Sequence, residues 1–122
     1  MSNADFVTGF IDAWNALNVD SIMEHFTDDC VYINMPMDPP NNGKEEIRAF
    51  IEGFTGSCTE INFTVHHQTE SADGRIVMNE RTDRLKMNGK WVELAVMGVF
   101  EFRDGKICAW RDYFDMAALT AQ

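Results

Sequence analysis

The chain has 122 residues, which suits a single domain over 1–122 and is too short for two. Hydrophobic residues make up 45%, with nine Phe, three Trp and eight Met, so a packed core is available and whole-chain disorder is excluded. Ten Lys plus Arg against twenty Asp plus Glu give a net charge of −10, so neither nucleic acid nor an anionic membrane surface is an expected partner.

In chain order, Phe6, Phe10, Ala13, Trp14 and Leu17 recur at spacings of three and four and predict a first helix, capped by Ser2 or Asn3. A second short helix is predicted from Asp20 to Phe26, and a strand from Cys30 to Met35. The three prolines follow in Met35-Pro36-Met37-Asp38-Pro39-Pro40, and Asn41-Asn42-Gly43 reads as the end of a loop. Lys44 to Phe54 returns to helical spacing, with Ile47, Phe50, Ile51 and Phe54 as its stripe. From Cys58 the period becomes two: Ile61, Phe63 and Val65 alternate with Asn62, Thr64 and His66. Strands then run from about Arg75 to Met87, Lys90 to Arg103 and Lys106 to Phe114, joined at Asn88-Gly89 and Asp104-Gly105. This order predicts an α+β fold, a curved and mostly antiparallel sheet forming a cone-shaped barrel closed by three to four helices.

Cys30, Cys58 and Cys108 are odd in number and widely spaced, which predicts buried thiols rather than a disulfide or zinc site. His66 and His67 are adjacent on a strand and point to opposite faces, so they do not chelate one metal together. No phosphate-binding glycine motif and no Gly-x-Ser-x-Gly occurs. The expectation is therefore no metal and no cofactor. Met1 to Asp5 lacks the basic start of a signal peptide, and no apolar run is long enough to span a membrane, which predicts a cytoplasmic protein.

Strand parity singles out polar residues on apolar faces. Val92, Leu94, Val96, Gly98, Phe100 and Phe102 form a face without a polar side chain, which should point inward. On the last strand Asp112 shares its face with Cys108, Trp110 and Phe114, and on the strand before Asn88-Gly89 the face reads Val77, Asn79, Arg81, Asp83, Leu85. Tyr32 and Asn34 share a face of the first strand. If these faces are concave, Tyr32, Asn34, Arg81, Asp83 and Asp112 converge in an apolar pocket. Buried charges must pair, and one guanidinium can bridge two carboxylates. Two carboxylates in a low-dielectric site resist double ionisation, so one keeps its proton near neutral pH. A protonated acid beside an ionised base is what general acid–base chemistry needs. Taken alone, an Arg-x-Asp on a strand is also compatible with an exposed ion pair.

Val31-Tyr32-Ile33-Asn34-Met35-Pro36, Glu80-Arg81-Thr82-Asp83 and Trp110-Arg111-Asp112-Tyr113-Phe114-Asp115 resemble the limonene-1,2-epoxide hydrolases, within the wider group that shares the nuclear transport factor 2 cone fold. The resemblance implies a cofactor-independent epoxide hydrolase that adds water to a small lipophilic epoxide and gives a vicinal diol. It implies Asp112 as general base, Tyr32 and Asn34 as holders of the attacking water, Asp83 as general acid, and Arg81 as the bridge between the two acids. It further implies a substrate pocket of Leu85, Leu94, Val96, Trp110 and Phe114, with Met35 and Met37 shaping its entrance. Thr82 and Arg84 depart from the apolar residues of that family and are expected to face outward. The fold alone also admits a ketosteroid-isomerase-like isomerase or a ligand-binding module. Ala95, Met97, Val99, Ala109 and Tyr113 make the outer sheet face apolar, which predicts a homodimer through the sheets.

Overall fold

The computed structural model describes residues 1–122. Ser2 caps the first helix, α1 (Asn3–Asn15): its hydroxyl accepts from the Asp5 N–H at 3.0 Å and the Asp5 carboxylate accepts from the Ser2 N–H at 3.1 Å. Val7, Phe10, Ile11, Ala13 and Trp14 are its buried face, with Phe6 and Leu17 packed half-buried against the core. Asn18 then caps α2 (Val19–Met23) by accepting from the Ser21 N–H at 3.1 Å.

That helix is shorter than its spacing predicts. Phe26 opens β1 (Phe26–Asn34) instead and pairs with Ile107. The pairing register shifts between Phe26 and Val31, and the intervening Asp28 and Asp29 are exposed. These two aspartates break the apolar alternation that marks a strand, which hides its first half from a sequence reading. Asn41 and Asn42, read as loop, form a two-residue strand β2 (Asn41–Asn42) beside Tyr32 and Val31. Then follow α3 (Gly43–Gly56), β3 (Glu60–Glu70), β4 (Ile76–Met87), β5 (Lys90–Arg103), β6 (Lys106–Tyr113) and a short α4 (Met116–Thr120) that the sequence did not announce.

The six strands lie in the order β2-β1-β6-β5-β4-β3. Only β1 and β6 run parallel. The sheet is mixed, mostly antiparallel and curved, consistent with the expected cone; its ends at β2 and β3 do not pair, so the cone is open along that edge. Asn88 (φ 53°) and Gly89 (φ 74°) take the left-handed backbone that the β4–β5 hairpin requires. Helices α1 and α3 cover the concave face, where Phe10, Trp14, Ile47 and Ile51 join Phe100, Trp110 and Tyr32 in one core.

The inner face of β5 is as parity predicts. The inner face of β6 needs a correction: the β5–β6 register shifts between Glu101 and Phe102, so Phe102 faces Ile107 while Phe100 faces Trp110. Ile107 is buried and Cys108, expected on the face of Trp110 and Asp112, is the half-buried extra residue of the bulge. Burial pushes the Cys30 thiol up to about 12, so it stays protonated. No helix is long and apolar enough to cross a membrane.

Candidate active site

Strand β5 lies between β4 and β6, so residues of the outer two meet only by reaching across it. Gly98 is paired with Asn79 on one side and Asp112 on the other. With no side chain there, the long arm of Arg81 crosses the gap. A Cβ on Gly98 would lie 2.5 Å from Arg81 Nη1 and 2.9 Å from Asp112 Oδ1. The glycine is therefore the space in which the charged cluster is built.

Arg81 donates from Nε to Asp83 Oδ1 and from Nη2 to Asp83 Oδ2, both at 3.0 Å. Nη2 also donates to Asp112 Oδ2 at 2.8 Å. One guanidinium thus holds both acids, as the sequence predicts. Arg81, Asp83 and Asp112 are 1%, 6% and 5% exposed, which is the opposite of the solvated, separated acids that a mere binding module would carry. Burial works against the Arg81 cation, but Asp112 and Asp83 override it and hold its pKa above the usual arginine value. Burial raises the Asp83 pKa above the usual carboxylate range, with Arg81 opposing the shift.

Asp112 is fixed from a second side by the Trp110 indole N–H, which donates to Oδ1 at 2.8 Å. Each carboxylate oxygen of Asp112 thus has one strong donor. Tyr32 donates its phenol proton to Asn34 Oδ1 at 3.1 Å. Burial, then the charge of Asp112, push the Tyr32 pKa upward, so the phenol stays neutral. Tyr32 and Asn34 are brought beside the acids by the parallel pairing of β1 and β6, in which Tyr32 faces Trp110 and Asn34 faces Asp112.

A cavity of about 660 Å³ opens beside this cluster. Tyr32, Asn34, Asp83 and Asp112 line it, and Arg81 sits behind them. Leu85, Leu94, Val96, Trp110 and Phe114 line it as expected, joined by Trp14, Phe50, Phe54 and Phe63. Met37 also reaches the wall, whereas Met35 is exposed and stands outside it. Thr82 and Arg84 face outward: Thr82 meets His66, and Arg84 pairs with Glu93. The sequence reading missed the parts played by Asn79, Gly98 and the Trp110 N–H. Only the inward parity of the first two could have flagged them.

An open curved α+β sheet with a buried acid–arginine–acid cluster over an apolar hollow defines an enzyme site of the cone-fold class. A protein of ketosteroid isomerase-like fold from Catenulispora acidiphila matches with a TM-score of 0.84 over 95% of this chain and 89% of its own, at 19% identity, which speaks to fold alone. An LEH-like epoxide hydrolase of M. tuberculosis matches with a TM-score of 0.83 and 30% identity, over 97% of this chain and 86% of that one. Epoxide hydrolase EphG of Mycobacterium tuberculosis is 34% identical over 110 residues, 90% of this chain and 71% of that protein. The family model of the limonene-1,2-epoxide hydrolase catalytic domain matches residues 1–122. The chain belongs to the limonene-1,2-epoxide hydrolase family and is an epoxide hydrolase of that type.

Proposed function

We propose that the enzyme adds water to a small lipophilic epoxide in one push–pull step, without a covalent enzyme ester. The observation that carries this reading is the Arg81 bridge, which holds Asp83 and Asp112 on the cavity wall with Arg81 behind them. Asp83, with its raised pKa, is the group that carries a proton to the epoxide oxygen. Asp112 accepts two N–H bonds and serves as the base.

The hydrogen bond between Tyr32 and Asn34 dictates how water is held. The phenol proton is committed to Asn34 Oδ1, so the Tyr32 oxygen offers lone pairs and Asn34 Nδ2 offers protons. A water there gives one proton to Asp112 and the other to Tyr32, and accepts from Asn34. One lone pair remains for attack on a ring carbon. As the new C–O bond forms, the ring C–O bond breaks, Asp112 takes the water proton and Asp83 protonates the leaving oxygen. The diol leaves the two acids with exchanged protonation, and one proton passed from Asp112 to Asp83 restores the start. The apolar wall suits a lipophilic substrate of a few rings at most.

An isomerase on the same fold is the less supported reading, because the family model that matches residues 1–122 and the relatives at 30% identity or more are epoxide hydrolases. The exposed Met97 and Tyr113 on the outer face support a homodimer through the sheets, with sedimentation at twice the chain mass as the expected result. The function itself is tested with limonene oxide and cyclohexene oxide. Wild type should release diol and Asp112→Asn should lose at least about a thousandfold in kcat. Full activity of that variant removes Asp112 as base.

A further inference from the structure

Arg81 has five N–H donors, and the two acids take those on Nε and Nη2. The remaining nitrogen, Nη1, donates to Asn79 Oδ1 at 2.9 Å. Asn79 is 1% exposed and does not line the cavity. Its Nδ2 donates to Gln68 Oε1 at 3.1 Å. Gln68 Nε2 in turn donates to the Ala4 carbonyl at 3.0 Å and to Thr8 Oγ1 at 3.2 Å.

The polarity of this chain has no freedom. Gln68 gives its N–H groups to α1 and has only its oxygen left for Asn79. Asn79 gives its N–H to Gln68 and has only its oxygen left for Arg81. The contact exists because the β3–β4 register shifts between Val65 and His67, which brings Gln68 opposite Asn79. Without that bulge, His67 would stand there. On its other side Nη1 is confined by Gly98, whose missing Cβ leaves the room it uses.

We infer that Asn79, held by Gln68, is a positioning residue: it sets the rotation of the Arg81 guanidinium and so the sharing of Nη2 between Asp83 and Asp112. Its catalytic meaning rests on the hydrolase reading of this site. Released from Asn79, the guanidinium turns away from its two-point fit to Asp83. The Asp83 carboxylate then loses part of its cation and holds its proton more tightly. The charged and titratable groups around Asp83 are Arg81 on its own strand, Asp112 from β6 and the Tyr32 phenol from β1. Strand β3 presents Phe63, β5 presents Leu94 and α3 presents Phe50, all apolar.

The test compares wild type with Asn79→Leu and Gln68→Leu, following the Asp83 carboxyl carbon by NMR across pH and measuring kcat and KM for cyclohexene oxide. The expected result for Asn79→Leu is an upward move of the Asp83 midpoint by about half a pH unit or more. The basic limb of the rate profile moves with it, kcat falls about tenfold and KM stays within about threefold. A folded Asn79→Leu whose Asp83 midpoint stays in place overturns the inference, whatever its Tm. If Asn79→Leu does not fold, Gln68→Leu decides in the same way: a smaller upward move supports the inference and an unmoved midpoint overturns it. Absence of turnover by wild type would instead remove the hydrolase reading, while the NMR midpoint still decides the role of Asn79.

Discussion

The indole ring of Trp110 stacks on the phenol ring of Tyr32 with centroids 4.0 Å apart and planes 8° from parallel. The same indole donates to Asp112. In the proposed reaction the stack ties the residue that would hold water to the residue that would take its proton. Tyr32→Phe should keep the stack and the fold, since the ring is unchanged. On the proposed mechanism it removes the oxygen that orients the water, so kcat should fall about a hundredfold with KM little changed. Steady-state kinetics at one pH, with Tm as control, check this.

Arg81→Lys tests the bridge. A lysine is a single point of charge and does not reproduce the two-point grip on Asp83 together with the bond to Asp112. The variant should lose at least about a hundredfold in kcat, and breaking the buried pairs should cost about 3–5 kcal/mol of stability. Chemical denaturation and turnover of one epoxide read both effects.

Gly98→Ala tests the space. Its methyl would lie 2.5 Å from Arg81 Nη1 and 3.1 Å from Asn79 Oδ1, both pinned side chains. Stability should fall by about 1–3 kcal/mol, the usual range for overpacking. The larger effect should be on kcat, because the guanidinium is the group displaced. A variant that is destabilised yet fully active would show that the position of Arg81 is not critical.

Asp83 gives the pH dependence. Its folded pKa is raised, chiefly by burial, so the folded state binds its proton more tightly than the unfolded chain. Its contribution is therefore fully present below the unfolded value of about 4 and is lost as pH rises through the folded pKa. Asp83→Asn has no charge to bury. The difference in Tm, variant minus wild type, should become more positive as pH rises through that window, while activity falls by at least about a thousandfold at every pH.

The inner faces of β4 and β5 were legible because long, regular strands make burial follow parity, and the buried charges Arg81 and Asp83 on β4, with Asp112 on β6, stand out among apolar neighbours. Parity on β1, β4 and β6 brought Tyr32, Asn34, Arg81, Asp83 and Asp112 together, while the roles given to them come from the family resemblance. Bulges broke the rule: Cys108 lost its expected place because one extra residue enters β6, and Gln68 came opposite Asn79 because one extra residue enters β3. Neither shift leaves a mark in hydrophobic pattern. Asn79 was visible as an inward polar residue, but its bond to Arg81 depends on which amide atom faces the guanidinium, and that is decided by Gln68 from another strand. The first half of β1 was hidden by Asp28 and Asp29, and β2 by its length of two residues. The open sheet edge was illegible for a different reason: closure depends on whether β2 and β3 meet, which no local pattern states.

The most direct test of one-step hydrolysis is a single turnover in water enriched in oxygen-18, with enzyme in excess over cyclohexene oxide. Attack by a water deprotonated at Asp112 puts one heavy oxygen into the diol of that first turnover and leaves both carboxylates unlabelled. An unlabelled diol, with heavy oxygen found in Asp112 or Asp83, would mean that a carboxylate attacks the ring and would contradict water activation by the acid–arginine–acid cluster.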